Sequence, residues 1–369
     1  MSKNIDKICE GVLDDISVNR GVTDVEAENR GHVTRYDVSN MLEKLKRIHG
    51  QRFIDYRNAW DQTCKCEEAE VKQMELCLGT VQFGMDYGIR GKRKPSLSDA
   101  LDMIDYAIHH GVRTIDTANE AEDVVGTYLK KNQGMRQRIH IISKFRPNLL
   151  DDVLAEQYYQ VMKANLEESL QKLHTDYLDG YLLHSARYVY NDTIIDALLK
   201  LKKEGYVKKI GVSVYEIDEA KKGISRDNLD FLQLPFSVLD QRMLHDGVFE
   251  LAETKGFPLH TRSAFVQGLV MMEAEEVPLF LREKAAPILQ AVGEVCRKTG
   301  LTRTQLAVGF VKQQKAVTHL VFGVRNIEQL KEDIMMFSKD LSSDVVEVLK
   351  SGFANVEAEI VMPSLWKRS

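Results

Sequence analysis

From residue 75 onward, short runs of apolar residues alternate with longer amphipathic stretches. Eight runs have the length of β-strands: 75–82, 113–116, 139–144, 178–184, 207–213, 231–234, 259–262 and 318–322. Between them apolar residues recur with a helical period, as in 98–110, 154–173, 194–204 and 286–298. Apolar strands that alternate with helices indicate a parallel sheet buried on both faces. Eight such units predict an α/β fold, a closed (β/α)8 TIM barrel, over residues 73–369.

The first 72 residues follow a different pattern. They carry many charges and no proline, and their apolar patches are short. Val38, Met41 and Leu45 fall at helical spacing, which predicts a helix with a basic outer face. We interpret residues 1–72 as an N-terminal extension of unknown role. Two interpretations stay open: a helix or partly disordered leader on the barrel surface, and an arm for a protein partner or for self-association.

Composition narrows the choice of partners. Hydrophobic residues make up 44% of the chain and charged residues 28%, with a net charge of −5. This mixed-sign surface gives no indication of a nucleic acid or an anionic membrane as partner. No apolar stretch reaches the roughly 18 residues of a membrane span, and the N-terminus lacks the apolar region of a secretory signal. The sequence therefore predicts a cytoplasmic protein.

The five cysteines do not form a disulfide framework, because their number is odd and their spacing irregular. Cys64 and Cys66 form a C-x-C pair, but no further ligands stand nearby at the spacing that a zinc site needs. We expect reduced thiols and no metal site.

Polar residues stand at the end of seven of the eight predicted strands. In barrels of this kind the chemistry lies at the C-terminal face, where these strand ends meet. The residues are Asp116, Lys144, His184, Ser213, Gln233, Arg262 with Ser263, and Gly323 with Arg325. No G-x-G-x-x-G motif follows any strand, so a Rossmann phosphate loop is not supported.

These residue types suggest a specific role for each residue. Asp116 and Lys144 follow adjacent strands and are expected to form an ion pair. His184 can donate a hydrogen bond to a carbonyl oxygen. Ser213 and Gln233 offer the donors and acceptors that a carboxamide needs. At the start of the last helix, backbone amides, a glycine and an arginine offer a phosphate site.

The order and spacing of the motifs resemble the aldo-keto reductase family over about 285 residues, as expected for one barrel of this size. The matching stretches are LGTVQFG (78–84), IDTA (115–118), ISK (142–144), LLH (182–184), IGVS (210–213), LQLPFSVLDQR (232–242), RSAFVQGL (262–269) and FGVRNIEQL (322–330). The resemblance does not extend to the first 72 residues.

The resemblance implies reduction of aldehydes and ketones with NADPH or, less often, NADH. It makes Asp116, Lys144 and His184 three of four catalytic residues. It implies cofactor contacts as follows: Ser213 and Gln233 at the carboxamide, Phe236 at the nicotinamide ring, Arg262, Ser263 and Gly323 at the pyrophosphate, and Arg325 and Gln329 at the adenosine and any 2′-phosphate. A guanidinium pairs well with a phosphate dianion, so Arg325 favours NADP(H), with NAD(H) still open. The partner is then a small carbonyl compound.

One position departs from the family pattern. The fourth catalytic residue, a tyrosine that donates the proton, should follow the Asp-Thr-Ala motif. Aligned without gaps, Ala121 stands in its place; aligned on the acidic helix that follows, the loop is shorter and the tyrosine is deleted. A milder change is Val214, where an asparagine often follows the serine. Three interpretations are open. Another group could donate the proton: Tyr87, His184 or a water held by Lys144. The site could catalyse a different hydride transfer, or the barrel could be a binding or sensor protein with little or no catalysis.

Overall fold

The barrel is closed and its strands follow the order of the chain. The computed structural model describes residues 74–89 and 93–366, so the predictions for residues 1–72 lie outside the described residues. Eight parallel strands pair in sequence order, and the last pairs with the first. They are β1 Glu75–Gly79, β2 Thr114–Asp116, β3 His140–Phe145, β4 Leu178–Leu183, β5 Val207–Ser213, β6 Phe231–Pro235, β7 Leu259–Arg262 and β8 Val317–Gly323. The predicted (β/α)8 barrel is confirmed.

Helices follow the strands and cover the barrel. Those of the described residues are α1 Val81–Gly84, α2 Leu97–His109, α3 Glu122–Lys131, α4 Tyr158–Leu173, α5 Asp192–Lys203, α6 Ile217–Ile224, α7 Arg242–His245, α8 Val248–Lys255, α9 Leu279–Thr299, α10 Arg303–Lys312, α11 Ile327–Phe337, α12 Ser343–Gly352 and α13 Ala358–Val361. None of them is long and apolar enough to cross a membrane, a finding that covers the described residues alone.

Helix α5 shows why these segments are helical. Its residues Ile194, Leu198 and Leu201 are fully buried or nearly so, and their spacing places them on one face of the helix. The side chain of Asn191 caps the first turn by accepting the N–H of Ile194 at 3.1 Å. Lysines occupy the last turn, where they complement the helix dipole.

The first strand is shorter than its apolar run suggests. The predicted strand 75–82 ends at Gly79, and Val81–Gly84 forms a helical turn instead. The chain turns because the N–H and the hydroxyl of Thr80 both donate to the carbonyl of Asp116, at 2.9 and 3.2 Å. The turn buries Phe83, so its apolar character serves packing and not a longer strand.

Side chains fill the inside of the barrel below the site. Ile142, Leu182 and Phe231 form a small apolar cluster separate from the main core. Beside it, the ring of His260 lies 4.6 Å from that of Phe231 and 4.1 Å from that of His319. Because inward positions alternate along a strand, the next inward residues toward the C-terminal end face the barrel mouth. Those are the positions of the polar strand-end residues.

Candidate active site

An ion pair lies at the centre of the barrel mouth. Lys144 Nζ is 2.5 Å from Asp116 Oδ1 and 2.9 Å from the carbonyl oxygen of Thr117. The side chains of lysine and aspartate are only 6% and 5% exposed. From the far side of the barrel, Gln233 Nε2 donates to Asp116 Oδ2 at 2.8 Å. Both carboxylate oxygens are thus engaged, as the burial of a charged group requires.

His184 follows β4 at the same rim, and its environment keeps it neutral. Burial lowers the pKa of His184 to about 4, and the positive charges of Lys144 and Arg262 act in the same direction. The negative charge of Asp116 opposes this effect but does not overcome it. At neutral pH the imidazole can donate one N–H and accept at its other nitrogen, so it can orient a carbonyl oxygen but cannot act as an imidazolium acid.

Arg262 ends β7 and reaches toward the loop after β5. One guanidinium nitrogen lies 3.3 Å from the carbonyl oxygen of Val214, and another lies 3.4 Å from the hydroxyl of Ser263. The guanidinium carbon lies 4.2 Å from the centre of the Tyr215 ring, a cation–π contact. Ser213, at the end of β5, is almost fully buried beside this contact. Sequence analysis did not identify Tyr215, although its place two residues beyond the strand end was a usable signal.

The rim between β8 and α11 has the features of a phosphate site. Asn326 caps α11 by accepting the N–H of Gln329 at 2.9 Å, and Gln329 Oε1 in turn accepts the N–H of Arg325 at 3.0 Å. The predicted residues Arg325 and Gln329 are therefore part of one cap. The side chain of Gln82 packs directly against Gly323. A Cβ on Gly323 would lie only 2.2 Å from the amide nitrogen of Gln82.

The loop after β1 crosses to the loop after β7 next to this rim. Ile89 donates its N–H to the carbonyl of Gln267 at 3.1 Å. A Cβ on Gly88 would lie 3.5 Å from that carbonyl oxygen and 3.6 Å from a guanidinium nitrogen of Arg325. Tyr87 lies in this crossing segment and is partly buried. The loops after β1, β7 and β8 therefore meet at one place on the rim of the barrel.

Cys77 is a second residue that sequence analysis did not place in the site. It is fully buried on β1, opposite Thr114 of β2. Burial raises the pKa of the Cys77 thiol well above its usual range, and the charge of Asp116 raises it further. The thiol is therefore protonated and forms part of the floor beneath the ion pair. Among residues 74–89 and 93–366 no group of three or more His, Cys, Asp or Glu side chains could hold a metal ion.

Comparison with known proteins agrees with this geometry. The family model described as "Aldo/keto reductase family" matches residues 75–352, which is most of the chain. This chain belongs to the aldo-keto reductase family. Its relatives include the Escherichia coli Protein tas, 27% identical over 75% of this chain and 93% of that protein. Another is a Bacillus subtilis glyoxal reductase, 36% identical over 47% of this chain and 61% of that protein.

A solved structure shows the same fold. The aldo-keto reductase AKR11C1 from Bacillus halodurans, in its holo form, matches with a TM-score of 0.63. The match covers 78% of this chain and 94% of that one, at 21% sequence identity. With this family membership the chain is an oxidoreductase of the aldo-keto reductase type.

The segment after the Asp-Thr-Ala motif, where the family pattern has its tyrosine, is tightly packed. Ala121 has no exposed surface and forms the N-cap of α3. Gly84 of α1 packs so closely against Glu120, the residue before Ala121, that a Cβ on Gly84 would lie 1.8 Å from the carbonyl oxygen of Glu120. The next tyrosine, Tyr128, donates its hydroxyl to Asp105 at 3.0 Å, on α2 in the helix layer. The segment around Ala121 is therefore closely packed against α1.

The structure places Phe236 in the helix layer. Its side chain has no exposed surface, and its ring lies 4.7 Å from that of Phe249 on α8 and 5.4 Å from that of Phe310 on α10. Phe236 is three positions after Gln233, and an odd spacing along extended chain points a side chain to the opposite face. Since Gln233 faces the barrel mouth, Phe236 packs among the helices.

Proposed function

We propose that this aldo-keto reductase transfers hydride between a nicotinamide dinucleotide and a small carbonyl compound, with an atypical proton donor. The observation that carries the proposal is the buried Asp116–Lys144 pair, bound by Gln233 and bordered by neutral His184. Lys144 is a charged hydrogen-bond donor and His184 is a neutral one, and both lie at the barrel mouth. Such a pair can stabilise the negative charge that develops on a carbonyl oxygen during hydride addition.

The residues present fit a dinucleotide. Arg325 and the N-terminal end of α11 offer a guanidinium and backbone amides to phosphate groups. Ser263 and Gly323 would border the pyrophosphate and Gln329 the adenosine. Ser213 and the remaining polar atoms of Gln233 would hold the carboxamide. When bound, the cofactor supplies hydride to the carbonyl carbon.

We propose NADP(H) as the preferred cofactor, with NAD(H) as the alternative. Support comes from Arg325, because a guanidinium pairs with a 2′-phosphate that NADH lacks. Replacing Arg325 with Gln should weaken NADPH binding by about 10- to 100-fold, the size of one or two charge-assisted hydrogen bonds, and NADH binding far less. Calorimetric titration of both cofactors measures this. Equal losses for both would show that Arg325 does not distinguish them.

The proton would come from Lys144 through a bound water. An ammonium has three N–H bonds, and Asp116 and Thr117 accept two of them. The third can donate to a water that protonates the alkoxide, after which the amine takes a proton from solvent. Neutral His184 holds the oxygen and is not the acid. Tyr87, in the loop after β1, is the alternative donor.

Two variants separate these donors. Replacing Lys144 with Met should lower kcat by at least 10²-fold, the ordinary value of proton donation. Replacing Tyr87 with Phe removes a single hydroxyl and should leave kcat within a few-fold of wild type. If the Tyr87 variant loses activity by this factor and the Lys144 variant does not, the tyrosine is the donor.

The function is tested by mixing purified protein with NADPH and a panel of aldehydes, glyoxal, keto acids and keto sugars. Glyoxal is included because one relative is named a glyoxal reductase. Oxidation of NADPH followed at 340 nm is the expected result. The alternative is a nicotinamide-nucleotide-binding barrel, a binding or sensor protein, which the lack of a tyrosine after the Asp-Thr-Ala motif favours. Tight cofactor binding without turnover of any substrate would support that alternative.

A further inference from the structure

Arg262 carries a positive charge that no neighbouring carboxylate neutralises. Among residues 74–89 and 93–366, no aspartate or glutamate forms an ion pair with it. Its hydrogen-bond partners are the Val214 carbonyl and the Ser263 hydroxyl, both neutral groups. Two other partly buried arginines differ in this respect. Arg242 lies 2.9 Å from Asp240, and Arg303 lies 2.8 Å from Glu273.

The rest of the site does not balance this charge. The charges of Asp116 and Lys144 cancel within their own pair. His184 is neutral at physiological pH, because burial holds the pKa of its imidazole at about 4. The cluster therefore has a net positive charge, and that charge lies on Arg262. A partly buried cation of this kind favours a bound anion.

The guanidinium is held in place and still has free bonding capacity. The ring of Tyr215 supports it at 4.2 Å, and the Val214 carbonyl accepts from one nitrogen. A guanidinium has five N–H bonds, so most remain for a ligand. Its planar shape matches a carboxylate, which can accept two parallel hydrogen bonds.

The resemblance implies a place for Arg262 at the cofactor pyrophosphate, but its contacts in this structure favour an anion on the substrate. Its contacts are with Val214 and Tyr215, in the loop after β5. The cluster suited to phosphates lies around Arg325 and Gly88, in the loops after β8 and β1. Arg262 also acts electrostatically on His184, the residue proposed to hold the carbonyl oxygen.

We propose that Arg262 binds the carboxylate of an oxo-acid substrate and so determines the specificity of the enzyme. The proposal rests on the proposed function, because it names the substrate class of the same site. The substrate is a small aldehyde or ketone that also carries a carboxylate. Its carbonyl lies at His184 and Lys144, and its carboxylate lies on the guanidinium beside Tyr215.

The test compares each acid with its own primary amide, which has nearly the same shape but no charge. Suitable pairs are pyruvate and pyruvamide, 4-oxobutanoate and its amide, and 4-carboxybenzaldehyde and 4-formylbenzamide. For at least one pair, wild-type kcat/KM should favour the acid about 10- to 100-fold, the size of a charge-assisted hydrogen bond. The readout is this acid-to-amide ratio.

Three variants make the test specific. Replacing Arg262 with Gln should reduce the ratio to near one, and replacing it with Lys should keep an intermediate ratio because the charge remains but the planar fork is lost. The control is Arg138→Gln, which removes an exposed arginine just before β3, at the opposite end of the barrel. It should leave the wild-type ratio unchanged. Loss of the ratio in the control as well would point to net charge and overturn the proposal.

Other outcomes are equally decisive. A wild-type ratio near one for all pairs overturns the proposal while leaving the reductase function intact. An Arg262→Gln variant that binds NADPH more weakly and keeps the ratio places the arginine on the cofactor. If wild type turns over no compound, the proposed function fails by itself. Calorimetric titration of 4-oxobutanoate and its amide into the NADPH-bound protein then decides the inference: acid-selective binding lost in Arg262→Gln supports it, and equal binding overturns it.

Discussion

The buried ion pair between Asp116 and Lys144 makes a quantitative prediction about stability. The two charged atoms are 2.5 Å apart, and both side chains are about 95% removed from solvent, with exposures of 5% and 6%. Replacing Asp116 with Asn keeps the shape of the side chain and leaves no cavity, but it strands a buried ammonium. Removing one partner of a buried pair typically costs about 3–5 kcal/mol. We expect a loss of this size in the free energy of unfolding.

A double-mutant cycle separates the charge from the packing. Replacing Lys144 with Met in the Asp116→Asn background removes the stranded charge, so the double variant should recover most of the lost stability, with a coupling energy of at least about 2 kcal/mol. Urea unfolding at pH 7, followed by fluorescence and far-UV circular dichroism, gives the four free energies. Glu347→Gln is the matched control. That carboxylate is 72% exposed and 3.3 Å from Lys350, and its loss should cost less than about 1 kcal/mol.

Two results would refute this reasoning. An Asp116→Asn variant within about 1 kcal/mol of wild type would mean that the ammonium finds full compensation from Thr117 and the introduced amide. A double variant no more stable than the single one would mean that the loss comes from packing and not from charge.

Three further predictions concern pH and packing. Burial lowers the pKa of His184 from its ordinary value of 6.5 to about 4, so its contribution to stability is complete above pH 6.5 and is lost as the pH falls through 4. Replacing His184 with Gln should remove roughly 3 kcal/mol of this acid sensitivity in pH-dependent urea unfolding. Burial raises the pKa of Asp333 to about 8, so the free energy of unfolding should fall as the pH rises from 4 to 8. The Asp333→Asn variant should be more stable than wild type by about 1–3 kcal/mol at pH 8.5. Equal stability of the two proteins would contradict the burial of this carboxyl. Gly84→Ala would place a Cβ 1.8 Å from the Glu120 carbonyl oxygen, so it should lower the free energy of unfolding by about 1–3 kcal/mol and lower activity. In the control Gly352→Ala the new Cβ meets no atom within 4 Å, so thermal unfolding and turnover should not change.

Local pattern was enough to predict the barrel and most of the polar rim. Apolar runs of strand length and helical periods depend on neighbouring residues alone, so a single sequence shows them. Because the carboxyl ends of parallel strands meet at one face, the strand-end positions of Asp116, Lys144 and His184 could be predicted to lie together. The missing tyrosine was likewise visible in the sequence, at Ala121.

Only the tertiary structure decided which of these side chains touch. Gln233 reaches Asp116 across 117 positions of chain, because closure of the barrel brings β6 opposite β2. The pairing of β5, β6 and β7 brings Arg262 over Tyr215, and the alternation of side chains along β6 turns Phe236 toward the helices. The sequence by itself determined the kind of fold and the residues available to the site. Which of them pair, and which charge is left for a substrate, depended on strand register and loop packing, since these bring together residues that no local pattern relates.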